Sequence, residues 1–169
     1  MLVDQHAAHE RVAFERLKRE FHADSVESQS LLFPETIELA FNESAALRDN
    51  VLKIKKLGFE VENFGGNTWA LTAIPRLLEN REYVRIFRDI IEEILDLGRS
   101  SSFDDACDEI LSRLACHSVI RGGMQLTLPE IHSLFSQLDA IDFSSNCPHG
   151  RPVSNRLTLS DIEKMFRRG

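Results

Sequence analysis

The hydrophobic period of this chain switches repeatedly between two and roughly three and a half, and the switches mark out its elements. Leu2 and Val3 form a short apolar run closed by Asp4, which predicts a strand feeding directly into a helix. From Ala7 to Phe21 the period is helical, with Val12, Phe14, Leu17 and Phe21 as an apolar stripe among Glu10, Arg11, Glu15, Arg16, Lys18 and Arg19. Ala23 to Ser30 is small, polar and loop-like, Leu31 to Phe33 stops at Pro34, and Thr36 to Phe41 alternates like a strand. Because proline has no N–H for a ladder, Pro34 argues against one continuous central strand here. Ser44 to Leu57 returns to helical spacing through Leu47, Val51, Ile54 and Leu57, with Gly58 where a C-terminal cap is expected. Phe59 to Asn63 and Thr68 to Ile74 alternate around Gly65-Gly66-Asn67, the signature of a β-hairpin. Arg81 to Leu97 is an amphipathic helix closed by Gly98, Phe103 to Ser118 is another, and Pro129 opens a third containing Ile131, Leu134, Phe135 and Leu138. The tail predicts a turn from Cys147, a short Val153 to Leu159 segment and a helix capped by Ser160. A strand-rich middle between two helix-rich parts places the chain in the α+β (mixed α/β) class.

Composition narrows the class further. A chain of 169 residues, 43% hydrophobic and 28% charged, makes one soluble domain or a pair of joined lobes with a real core. No apolar run approaches the ~20 residues needed to cross a bilayer, and no basic amphipathic stretch offers a surface anchor, so a membrane role is excluded. With 27 acidic against 20 basic residues the net charge is −7, and tight DNA binding by this chain alone is not expected. Cys107, Cys116 and Cys147 lie far apart, and no secretory segment opens the chain. That usage predicts a reducing, cytoplasmic compartment with free or metal-bound thiols.

Candidate chemistry gathers in three places. Asp4, His6, His9, Glu10 and Glu15 crowd the handover from the first strand to the first helix. Asp4 and His6, two apart on extended chain, share a side, while His6 and Glu10, four apart on a helix, stack on one face. Together they can converge on one ion; a solvated helix start stands beside that reading. The order His6-Ala7-Ala8-His9-Glu10 does not match the metalloprotease helix, which excludes that class. Secondly, Cys147-Pro148-His149-Gly150-Arg151-Pro152 presents a thiolate and an imidazole from a rigid turn, a zinc-type pair, and Cys116-His117 ends a helix. Taken alone, Cys116 and Cys107 read as small core residues, and His22 and His132 have no nameable partner. Thirdly, Gln29-Ser30-Leu31-Leu32-Phe33 is either a buried edge strand or a segment that docks its apolar pair in a partner's groove.

These residues resemble a known family, the C-terminal domain of the DNA mismatch repair protein MutL in its endonuclease-bearing bacterial branch. Asp4 to Glu10, followed after four residues by Glu15, is similar without a gap to that family's DQHA-x2-E-x4-E metal-binding motif. Ala115 to Arg121 resembles its ACHSAIR element, Cys147 to Pro152 its CPHGRP element, and Phe166-Arg167-Arg168 its terminal F-x-R. The resemblance implies a latent endonuclease that nicks double-stranded DNA by metal-dependent phosphodiester hydrolysis. It also implies control by an N-terminal ATPase domain not contained in this sequence, through which alone ATP would act, with mismatch recognition left to MutS. Asp4, His6 and Glu10 would hold metals, Cys116, Cys147 and His149 would complete a zinc cluster, and Glu15 would close the catalytic motif. Thiolates with carboxylates divide into a tight zinc near Cys147 and His149 and a weaker manganese or magnesium near Asp4 and Glu10. Gln29, Leu32 and Phe33 are similar to the Q-x-x-L-F peptide with which replication proteins grip the bacterial sliding clamp. Such a tether would hold a weak DNA binder on its substrate by effective concentration.

The resemblance further implies a homodimer, working in the bacterial cytoplasm and on the nucleoid during repair. Residues 1–16 and 116–169 would form the dimerisation lobe with the metal site, and 17–115 an external regulatory lobe. DNA contacts would fall to basic residues of the second half, Arg121, Arg151 and Arg168, with Arg156 and Arg167 beside them. Two rival readings remain: a non-catalytic dimerisation module with one structural zinc, which needs neither Asp4 nor Glu15, and a pure clamp adaptor, which leaves the first motif unexplained.

Overall fold

In the computed structural model, Asp4 both ends the first strand and starts the first helix, so the two elements meet without a linker. The structure describes residues 1–24, 26–79, 81–97, 103–119, 125–141, 146–147 and 150–166. Strand β1 (Leu2–Val3) is followed at once by helix α1 (Gln5–His22). Asp4 Oδ1 accepts the backbone N–H groups of His6 at 2.8 Å and Ala7 at 3.1 Å. Those are two of the four donors that a helix start leaves unpaired, so Asp4 is the N-cap.

The described residues divide into two compact units, Met1–Glu15 with Val119–Gly169, and Arg16–Ser118. In the first unit, β1 pairs antiparallel with β5 (Ser154–Asn155), Leu2 opposite Asn155 and Val3 opposite Ser154, and Asp4 N–H donates to the Val153 carbonyl at 2.9 Å. The small core comprises Ala7, Ala8, Leu134, Leu138, Cys147 and Val153, with Val3, Val12, Leu126 and Ile141 partly buried against it. Alanines at positions 7 and 8 leave room for larger side chains from helix α5 (Leu128–Asp139). Helix α6 (Leu159–Met165) is capped by Thr158, whose Oγ1 accepts from Asp161 N–H at 3.2 Å. This corrects the expected Ser160 cap: threonine two residues earlier completes a box with Asp161, and within the segment from Val153 to Leu159 the strand is Ser154–Asn155.

The second unit is a three-stranded antiparallel sheet in the order β2-β4-β3 with helices packed on it. It comprises β2 (Ser28–Glu38), α2 (Phe41–Lys56), β3 (Glu60–Gly65), β4 (Thr68–Pro75), a 3-10 turn at Arg76–Leu78, α3 (Tyr83–Leu97) and α4 (Phe103–Ser118). Central β4 is apolar on both faces, whereas β2 and β3 are edges with exposed positions. Phe59 and Phe87, with ring centroids 5.2 Å apart, sit fully buried with Ile37, Leu47, Leu71 and Ile90. Trp69 donates its indole N–H to Ser44 Oγ at 2.9 Å, satisfying both buried polar groups.

Two sequence expectations change here. The segment does not stop at Pro34, since β2 runs through it, but β2 is an edge strand with a register shift between Ser30 and Glu35 and so, as Pro34 implies, is not one continuous central strand. Phe41 does not extend that strand but is the first residue of α2, because Glu43 reaches back to accept Ala40 N–H at 2.7 Å and closes a helix start.

Candidate metal centre

Helix α1 sets the geometry of the first motif. His6 and Glu10 are one turn apart, and His6 Nε2 lies 3.1 Å from Glu10 Oε1. In the neutral imidazole, Nε2–H donates to that carboxylate and Nδ1 keeps its lone pair. Among the described residues, His6 Nδ1 is buried with no hydrogen-bond partner. A buried acceptor without a donor costs free energy in an apolar setting, and a metal ion satisfies it. Glu10 is only 4% exposed, and a carboxylate so buried favours a neighbouring cation. A histidine oriented by a carboxylate through its far nitrogen is also the arrangement that metal-binding imidazoles adopt. Asp4 is exposed, with Oδ1 engaged in the cap.

The second motif arrives on a hairpin. Asn146 pairs with Pro152, Cys147 N–H donates to the Arg151 carbonyl at 2.7 Å, and Gly150 N–H donates to the Cys147 carbonyl at 2.9 Å. Gly150, with φ of +79°, makes the reversal that a side chain would strain. The strand that follows pairs with β1, so Cys147, 3% exposed, enters the same small core as Ala7 and Ala8 of the first motif. Two segments some 140 residues apart in sequence are thereby brought to one place. As ligand types, the thiol of the second motif and the imidazole and carboxylates of the first suit zinc at the softer end and manganese at the harder end. Among the described residues, no group of three or more His, Cys, Asp or Glu side chains could by itself hold an ion. His149 lies outside the described residues, and Cys116 is half-buried in the last turn of α4, in the second unit.

The other candidate residues fall as follows. Glu15 is paired with Arg11 at 2.6 Å. Nine residues beyond His6, it lies about 180° away around the helix, so α1 does not bring it to the His6–Glu10 face. His9 bonds through Nδ1 to the Gln5 carbonyl at 2.7 Å, a local tie within the helix. Gln29 is half-buried in the β2 ladder opposite Ile74, whereas Leu32 and Phe33 are 87% and 79% exposed in the register shift. The buried-edge-strand reading of Leu32 and Phe33 is thereby corrected. Arg151 and Arg156 are exposed, and Arg121, Arg167 and Arg168 lie outside the described residues.

Sequence spacing missed two contributors. Val153 anchors the start of the motif through its carbonyl, and Arg11 holds Glu15. The second was detectable, since Arg11 and Glu15 are four apart on a helix; the first was not, because backbone pairing across the chain leaves no mark in residue type.

Residues 1–126 match the family model described as the MutL C terminal dimerisation domain. Over 168 residues, 99% of the chain, the sequence is 61% identical to the DNA mismatch repair protein MutL of Geotalea uraniireducens. Over the same span it is 57% identical to that of Geobacter sulfurreducens and 41% to that of Syntrophotalea carbinolica. These matches take in 28%, 28% and 27% of the respective relatives, so the chain spans little more than a quarter of their length.

Proposed function

The chain belongs to the MutL C-terminal dimerisation domain family of mismatch repair proteins, and from that premise we propose that it is a metal-dependent nicking endonuclease as well as a dimerisation module. The observation that supports this reading is the buried Nδ1 of His6, without a partner among the described residues and held beside the buried carboxylate of Glu10 at a β1–α1 junction that Cys147 also packs against. Asp4, His6, Glu10 and Cys147 would hold the metal together with His149, since the described residues do not form a complete ligand group by themselves. When bound, such an ion neutralises phosphoryl oxygens and lowers the pKa of an attacking water.

The chain's own residues do the rest. Glu10 fixes the imidazole tautomer by accepting from Nε2, the Asp4 cap holds the helix start in register with β1, and the β1–β5 pairing carries Cys147 toward it. The excess of acidic residues keeps DNA affinity low, so the domain depends on partners to reach its substrate. Gln29, Leu32 and Phe33 would supply one tether, to the sliding clamp. A second copy of the chain, MutS, and ATP acting through an N-terminal domain complete the set, the last two through the whole protein.

Asp4 also supports the second reading, a non-catalytic dimerisation module with a structural zinc, since capping α1 is sufficient reason for an aspartate there. Manganese-dependent nicking of a supercoiled plasmid by the whole protein and its Asp4→Asn variant separates the two. Asparagine caps as well as aspartate but is a much poorer metal ligand. The endonuclease reading expects nicking to fall at least about a hundredfold with the fold intact; equal nicking by both proteins establishes that Asp4 is only a cap.

A further inference from the structure

Strand β2 leaves its ladder at one place. Leu31 to Pro34 lie between the registered pairs Ser30–Ala73 and Glu35–Leu71, and on β4 only Thr72 stands between those partners. An extended path from Ser30 to Glu35 would span about 16–17 Å, whereas two residues of β4 advance about 7 Å. The surplus chain has to loop out, and it carries Leu32 and Phe33 into solvent. The neck of this loop is held on both sides, by pairs from Ser28 to Ser30 before it and from Glu35 to Glu38 after it. Thr72 is itself tied to the third strand, its Oγ1 donating to the Glu60 carbonyl at 3.2 Å. Pro34, at the point of re-entry, offers no N–H to the ladder and has a fixed φ.

We propose that the β2 bulge is a preorganised display: the sheet holds Leu32 and Phe33 out in advance for a partner with adjoining apolar pockets, and Pro34 is the positioning residue that keeps the loop from relaxing. The inference rests on the reading that this segment docks on the sliding clamp. A docking peptide that is free in solution loses backbone freedom when it binds; one whose two ends are already pinned about 7 Å apart has lost most of it on folding. The motif is thereby divided, with Gln29 held in the ladder and the apolar pair on the loop.

The test measures clamp affinity for the whole chain and three variants. Gly-Gly inserted between Pro34 and Glu35 leaves the spacing from Gln29 to Phe33 unchanged but loosens the neck, and Pro34→Gly loosens it without changing its length. Leu32→Ala with Phe33→Ala removes the docking side chains. Preorganisation predicts about tenfold weaker binding for the insertion, equivalent to about 1.4 kcal/mol, a smaller loss for Pro34→Gly, and no detectable binding for the double variant. Amide exchange at Ile37 and Ala70 reports whether the ladder survives, and if the insertion melts it, Pro34→Gly decides alone. Parental affinity in the loosened variants, with binding abolished in the double variant, overturns the display while leaving clamp docking intact. Parental affinity in the double variant overturns the docking reading and the display with it.

Discussion

Asp4 does two things at once, and separating them is the central problem at the scale of single residues. Its Oδ1 caps α1, and its place in the motif makes it a metal ligand in the proposed endonuclease. Asp4→Ala removes both roles and should cost about 0.5–2 kcal/mol of stability, whereas Asp4→Asn should leave the denaturation midpoint nearly unchanged. Chemical denaturation of the two variants checks this, and it licenses the nicking comparison that uses Asn. The proximity of His6 to Glu10 was legible in their four-residue spacing, because a helix enforces it. The buried Nδ1 was not, since whether a ring nitrogen finds a donor depends on everything packed around it. The pairing of Glu15 with Arg11, also four apart, was readable from spacing in the same way as that of His6 with Glu10.

Elements carry the next set of consequences. Gly58 follows α2 with φ of +88°, and a Cβ there would stand 3.0 Å from Val26 Cγ1 and 3.3 Å from Pro75 Cα and Cγ. Gly58→Ala therefore combines a left-handed backbone with crowding against the Val26 side chain and Pro75, and should lower stability by about 1–2 kcal/mol in a denaturation titration. The cap of α6 makes a pH prediction. The Thr158 hydroxyl and N–H both donate to Asp161, at 2.6 and 2.9 Å, and hold its carboxyl below the usual carboxylate range. Because the folded pKa is depressed, the stabilising contribution is present above the ordinary carboxylate value and is lost as pH falls through the lower folded one. In Thr158→Ala the Asp161 midpoint should move back up, as read by NMR titration of the carboxyl carbon. Helix periods, the Gly66-Asn67 hairpin and the Gly58 stop were readable from residue type because each reflects local geometry. Where β2 continues past Pro34 was not, since an edge strand tolerates a proline that a central one does not, and only the sheet order decides which it is.

For the whole molecule, the division into a unit containing both chain ends and a unit of the intervening residues gives the two motifs different surroundings. The first unit holds the β1–α1 motif and the Cys147 hairpin around a small core, while the exposed Leu32–Phe33 loop lies on the sheet of the second. No described helix is long and apolar enough to cross a membrane. The proposed chemistry and the proposed tether thus belong to different units, so variants of one should leave the other measurable. The most direct test of the metal-centre claim is elemental analysis of zinc per chain after equilibration and removal of the excess ion, for the parent, His6→Ala and Cys147→Ala. Zinc should be retained by the parent and lost from both variants, each still folded by circular dichroism; a parent that holds no zinc, or variants that hold as much as the parent, would rule out a metal centre built on His6 and Cys147.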